Sequence, residues 1–160
     1  MDEVYPWEGK YKDISFFDPS CGSGIFLVEA YRRLVCRWMS QNAVQAITCD
    51  QLNLLLKNSI FGVDINEEAI RVASFSLSLA MCDFLDPRSI WDKLSFPPLL
   101  GKNLISSDFF DEDKSFNKER YDVIVGNPPW QSNITEKTKE YLKKVNRVIG
   151  DKQIAQAFSI

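Results

Sequence analysis

The sequence predicts an α/β layered fold, and three observations predict it. Short apolar runs alternate with longer stretches of helical periodicity. Four of those runs end in a residue with chemistry to offer: Asp18, Asp64, Asp108 and Asn127. No internal repeat or low-complexity linker interrupts the 160 residues, so one domain is the natural expectation.

The elements follow in order. Residues 14–18 read as a short buried strand, and residues 18–24 (Asp-Pro-Ser-Cys-Gly-Ser-Gly) as a glycine-rich turn. A helix then runs to about Trp38. Leu27, Ala30, Tyr31, Leu34, Val35 and Trp38 form its apolar stripe, with Glu29, Arg32, Arg33 and Arg37 on the other side. Asp50 is the expected cap of a second helix through residues 52–57. Residues 59–64 form the next strand. Asn66 caps a long helix whose first turn carries Glu67 and Glu68, suited to the positive end of the dipole. Its buried stripe is Ile70, Ala73, Leu77 and Ala80. Residues 87–98 are irregular, with at most a short helix around Ile90. Residues 103–107 form a third strand, 111–120 a charged loop and 121–126 a fourth strand. A polar helix is expected over 135–148 and another over 153–160.

Composition narrows the function. Apolar residues make up 45% and charged residues 26%, ordinary for a globular protein. No run of 18 apolar residues suggests a membrane span, and the first ten residues lack the apolar stretch of a secretory signal. The four cysteines, Cys21, Cys36, Cys49 and Cys82, form no CxxC pair, and there is no histidine. Histidine-based catalysis and zinc sites with histidine are excluded, and no metal is expected. Reduced thiols in a cytoplasmic protein are the plain reading. The net charge of −3 and a pI near 5.1 do not advertise a basic DNA-holding face. If the chain acts on DNA, much of the grip lies outside it.

Ligands of open α/β sheets bind at the carboxyl ends of the strands, where four candidate sites fall. Gly22 and Gly24 let the backbone approach a ligand, and the helix behind them favours a negative group. A plain structural turn is the alternative. A dinucleotide fingerprint fits poorly. The third glycine of GxGxxG falls on Leu27, and Asp64 lies far beyond the expected ~20 residues. Asp64 can accept hydrogen bonds from both hydroxyls of a ribose, or simply cap a helix. Asp108, followed by Phe109 and Phe110, suits the amino group and flat face of an adenine, or is a loop acid beside core rings. The most specific segment is Gly126-Asn127-Pro128-Pro129-Trp130. Its prolines fix φ and leave no backbone donors, Asn127 offers a carbonyl acceptor, and Trp130 offers a stacking surface.

Together, DPSCGSG, the strand ending at Asp64, the Asp108 segment and GNPPW resemble successive motifs of amino-group DNA methyltransferases. Their order resembles the gamma arrangement of adenine-N6 enzymes, specifically the methyltransferase part of large single-chain restriction-modification enzymes. The resemblance spans most of residues 14–130, and residues 153–158 resemble the start of the family's next motif. It implies a Rossmann-like S-adenosylmethionine-dependent methyltransferase fold, a three-layer α/β/α sandwich with a mainly parallel sheet. It also implies that residues 1–160 are a partial catalytic domain. The family's segment before the glycine loop, its later strands and its target-recognition domain are not recognisable, which reads as truncation.

The resemblance also assigns roles. Asp18 and the turn of Gly22 and Gly24 hold the methionine end of S-adenosylmethionine, Asp64 its ribose and Asp108 its adenine, with Phe109 as a wall; Pro19 and Ile65 are also among the cofactor-binding residues. Asn127 and the carbonyl of Pro128 accept hydrogen bonds from the amino group of the target adenine, with Pro129 shaping the turn and Trp130 stacking on the base. The partner is double-stranded DNA with its adenine flipped out of the stack, read by a recognition domain or subunit outside this chain. Two rivals stand beside this one. The first is methylation of an RNA base or a protein glutamine; the second is a non-catalytic fragment serving as a binding module.

Overall fold

The computed structural model describes residues 14–111, 116, 120–127 and 135–144. Four strands, β1 (Phe16–Asp18), β2 (Ile60–Asp64), β3 (Leu104–Ser106) and β4 (Val123–Ile124), form one sheet in the order β3-β2-β1-β4. Every pairing is parallel, with Phe17 opposite both Phe61 and Ile124, and Val63 opposite Ile105. Five helices accompany them: α1 (Ile25–Gln41), α2 (Cys49–Ser59), α3 (Glu67–Cys82), α4 (Pro87–Lys93) and α5 (Glu136–Lys144).

The period of two divides the sheet between two clusters. Phe16, Ile60, Leu104 and Val123 point to one face and pack with Leu27, Ala30, Leu34, Leu52, Leu56, Ala73 and Leu77 of α1, α2 and α3. Several of these leucines are fully buried, and each contributes about 1.5–3 kcal/mol relative to exposure. Phe17, Phe61, Val63 and Ile105 point the other way, where Phe109, Phe116 and Tyr121 cover them. Tyr121 stacks on Phe17 at 4.4 Å between ring centroids. The chain therefore runs β1 to β2 to β3 with helices on one face. It then reverses direction to reach β4 through an aromatic connection on the other face.

Local chemistry sets the element ends. Asn66 caps α3 as the sequence predicts, its side chain accepting from the backbone N–H of Glu68 and Ala69. α2 begins earlier than Asp50 implies. Thr48 is the cap, in a reciprocal capping box with Gln51, and Asp50 sits in the first turn. α4 supplies the short helix expected around Ile90, started by Asp86 with Pro87 behind it. Arg37 is buried at 6% exposure rather than lying on the polar side of α1. It stands seven residues after Ala30 and three after Leu34, so the helical repeat carries its stem onto the buried stripe.

The strands are shorter than predicted. At β1 the backbone N–H of Ser15 turns aside to the carboxylate of Asp122 at 2.7 Å, so the regular ladder starts at Phe16. Of the expected charged loop, Phe116 is buried among the rings of the second face. The polar helix predicted from Thr135 appears as α5, and the helix predicted over 153–160 lies outside the described residues. Among the described residues no helix is long and apolar enough to cross a membrane.

Candidate active site

The strand order reverses beside β1, which makes the carboxyl ends of β1 and β4 the expected ligand crevice. Asp18 closes β1 and is fully buried. Its Oδ1 accepts the backbone N–H of Ser20 at 2.9 Å, while its Oδ2 has no hydrogen-bond partner among the described residues. Burial pushes the Asp18 carboxyl up to about 6, and the nearby negative charge of Asp64 adds to that. A buried acceptor without a partner is costly, so this oxygen is suited to an incoming donor, best of all a cation.

The two glycines of the turn do different work. Gly22 adopts φ +53°, and nothing lies within 4 Å of where its Cβ would stand. Its open side is free for a ligand to approach the backbone. Gly24 adopts φ +83°, and a Cβ there would meet Cβ of Ala73 at 2.9 Å. Its missing side chain lets α3 pack against the start of α1, a structural use that the sequence does not separate from ligand contact.

Asp64 closes β2 and braces the turn. Its Oδ2 accepts the backbone N–H of Gly22 at 2.8 Å, and its Oδ1 accepts that of Asn66 at 2.9 Å. One lone-pair direction remains on each oxygen, enough for two hydroxyls. Next to it Ile65 is 65% exposed, an apolar surface at the lip of the crevice. The backbone carbonyl of Asp64 takes the N–H of Ser107 at 3.0 Å, so the ends of β2 and β3 are joined as well.

Asp108 stands just beyond β3. Its Oδ1 accepts the N–H of Phe110 at 3.0 Å, and its Oδ2 accepts the hydroxyls of Thr135 and, at 3.2 Å, Thr138. Sequence reasoning missed both threonines. They lie 27 and 30 residues away, and their only signal is a Thr-x-x-Thr spacing at a helix start. Phe109 joins the second-face cluster, 6.0 Å from Phe17 between centroids.

At the other end of the row, Gly126 lies against β1. A Cβ on Gly126 would stand 2.7 Å from Asp18 Oδ1 and 3.6 Å from Pro19 Cδ. Asn127 follows it and is exposed. Pro128, Pro129 and Trp130 lie outside the described residues. Gly126, Asp18 with the Gly22 turn, Asp64 and Asp108 thus follow one another along the carboxyl edge, in the order of their strands.

A parallel sheet in the order 3-2-1-4 with helices packed on it is a Rossmann-like α/β fold, and the acidic side chains along its carboxyl edge are consistent with the methyltransferase class. Residues 58–159 match the family described as Eco57I restriction-modification methylase, and the chain belongs to that family. The matched stretch includes Asp64, Asp108 and the segment from Asn127 to Trp130, and begins after the glycine turn. Among curated relatives, the adenine-specific methyltransferase PglX of Streptomyces coelicolor is 32% identical, covering 81% of this chain and 13% of the relative. The type II methyltransferase M.VspI of a Vibrio species is 26% identical over 81% of this chain and 23% of its own length. The type II restriction enzyme and methyltransferase RM.Eco57I of Escherichia coli is 26% identical over 73% of this chain and 14% of its own. The chain thus spans less than a quarter of the length of each of these three relatives.

Proposed function

We propose that this chain is the cofactor-binding part and the beginning of the target site of an adenine-N6 DNA methyltransferase. The enzyme would use S-adenosylmethionine and serve a restriction-modification system. The observation that carries this is the meeting of Asp18 with Gly126, because it brings the glycine turn and the start of the Asn-Pro-Pro-Trp segment to one crevice. The printed names of the relatives, adenine-specific and type II methyltransferases, support the same chemistry.

The residues present fit the cofactor. The unpartnered Oδ2 of Asp18 suits the ammonium of a methionine moiety, and the open side of Gly22 suits close approach of its backbone. The remaining acceptor directions of Asp64 suit two ribose hydroxyls, and Ile65 supplies an apolar wall. When bound, S-adenosylmethionine supplies an electrophilic methyl group on a positively charged sulfur.

The chain's own residues prepare the nucleophile. The lone pair of adenine N6 is delocalised into the ring and reacts poorly. Asn127 accepts a hydrogen bond from the amino group, and the Pro128 carbonyl accepts the second, which favours a more tetrahedral nitrogen with its lone pair exposed. Trp130 stacks on the flipped base and offsets roughly 1–3 kcal/mol of the cost of extruding it. The roles of Pro128, Pro129 and Trp130 rest on the motif alone. Placement and electrostatics supply most of the rate, and no strong general base is needed, because the methylated cation sheds its proton readily.

The acidic balance of the chain, −3 overall, supports a DNA grip and base recognition supplied by other parts of a longer protein. The cytoplasm, where the DNA and reduced thiols are, is the proposed location. Transfer of labelled methyl groups to separated DNA, RNA and protein tests the reading. Label in DNA is the expected result. Label confined to RNA or to protein glutamine would replace the proposed substrate, and cofactor binding with no transfer to any fraction would favour a binding module.

A further inference from the structure

Thr138 is fully buried, and a buried hydroxyl needs a partner. Its hydroxyl lies 3.2 Å from Asp108 Oδ2 and 2.9 Å from the hydroxyl of Thr135, which donates to that same oxygen. Thr135 also accepts the backbone N–H of Thr138 at 3.1 Å and so caps α5. The positive end of the α5 dipole faces the carboxylate. A ring contact between Phe110 and Tyr141, 5.4 Å between centroids, seats α5 on the same segment.

Both hydroxyls lie against Oδ2. Oδ1 holds the N–H of Phe110 and has the Thr138 hydroxyl only at 3.5 Å, against 3.2 Å for Oδ2, so it keeps one direction open. Without the hydroxyls only the N–H of Phe110 would orient the carboxylate, and the torsion of an aspartate head is broad. We propose that Thr135 and Thr138 are positioning residues for the adenine of the cofactor. They hold Asp108 so that Oδ1 alone is presented to the purine amino group. The inference rests on the cofactor reading of the proposed function, and it adds two residues that contact no substrate themselves.

The test compares calorimetric affinities of the full chain for S-adenosylhomocysteine and for its analogue with hydrogen in place of the 6-amino group. The parent should prefer the amino compound by about tenfold or more, as one hydrogen bond to a charged acceptor implies. Thr138→Val, of nearly equal size, should shrink that preference to about twofold while leaving affinity for the analogue near the parent's. Thr135→Val should behave alike, and Thr135→Ser, which keeps donor and cap, should restore the preference. Thermal unfolding of each variant identifies any that fails to fold, in which case the other valine variant carries the comparison.

Equal loss of affinity for both ligands in the valine variants would reveal a purely structural role and overturn the inference. So would a preference unchanged from the parent. A parent that binds both ligands without preference overturns the inference but leaves the cofactor reading standing. A folded parent that binds neither overturns both.

Discussion

Gly126 sits so close to Asp18 that a single added carbon on the glycine would lie 2.7 Å from the buried carboxylate. The end of β4 and the end of β1 therefore share one wall of the crevice, and neither can change without the other responding.

Gly126→Ala should therefore be costly. The carboxylate it strikes is buried and its Oδ1 is already held by Ser20, so it cannot swing into solvent. Overpacking of this kind costs about 1–3 kcal/mol. Denaturant unfolding should show that loss, accompanied by weaker cofactor binding. An alanine variant as stable as the parent would mean that β4 sits farther from Asp18.

Asp18 should make stability depend on pH in an unusual direction. Its folded pKa, about 6, lies above the ordinary aspartate value of 3.8 because burial penalises the charge. The folded state then holds the proton more tightly than the unfolded state. Its favourable contribution is complete below pH 4 and disappears as pH rises through about 6. The span is worth roughly 3 kcal/mol as an upper figure. Asp18→Asn should remove this component from a stability profile measured between pH 4 and 7. A cationic ligand on Oδ2 should reverse the preference, so cofactor affinity should fall below pH 6 in the parent. In the asparagine variant affinity should be weak and flat with pH.

Asp64 joins the second strand to the turn through Gly22, so its loss should be felt in binding before stability. Asp64→Ala should weaken S-adenosylmethionine binding at least about tenfold, the worth of one charge-assisted hydrogen bond. Asp64→Asn, which can still accept one hydrogen bond, should fall between. Calorimetry with unchanged affinity for the alanine variant would remove Asp64 from the ribose role.

Much of this arrangement is legible in the sequence because it is local. Asn66 announces its helix by residue type, and Ile70, Ala73, Leu77 and Ala80 announce its buried face by spacing. The start of α2 is legible too, but in Thr48 and Gln51, three apart, rather than in the more conspicuous Asp50. Arg37 misleads because its charge suggests solvent while its position follows the buried repeat. Contacts between distant segments leave no such trace. That Gly24 serves Ala73 while Gly22 faces open space depends on where α3 lands. That Asp108 is held by Thr135 and Thr138 depends on where α5 docks. The row of strand ends could be anticipated because parallel α/β sheets gather their ligands there, whatever the side chains.

Asn127 is proposed to act on the target base at the crevice proposed for the methyl donor. The most direct measurement pairs two readouts on Asn127→Ala in the full-length protein: 6-methyladenine in digested DNA, and S-adenosylmethionine affinity. The expected result is loss of the methylated base with cofactor affinity within about threefold of the parent, since the proposed role of the amide is on the target alone. Methylated adenine formed at the parent's rate, or cofactor affinity lost together with activity, would contradict it.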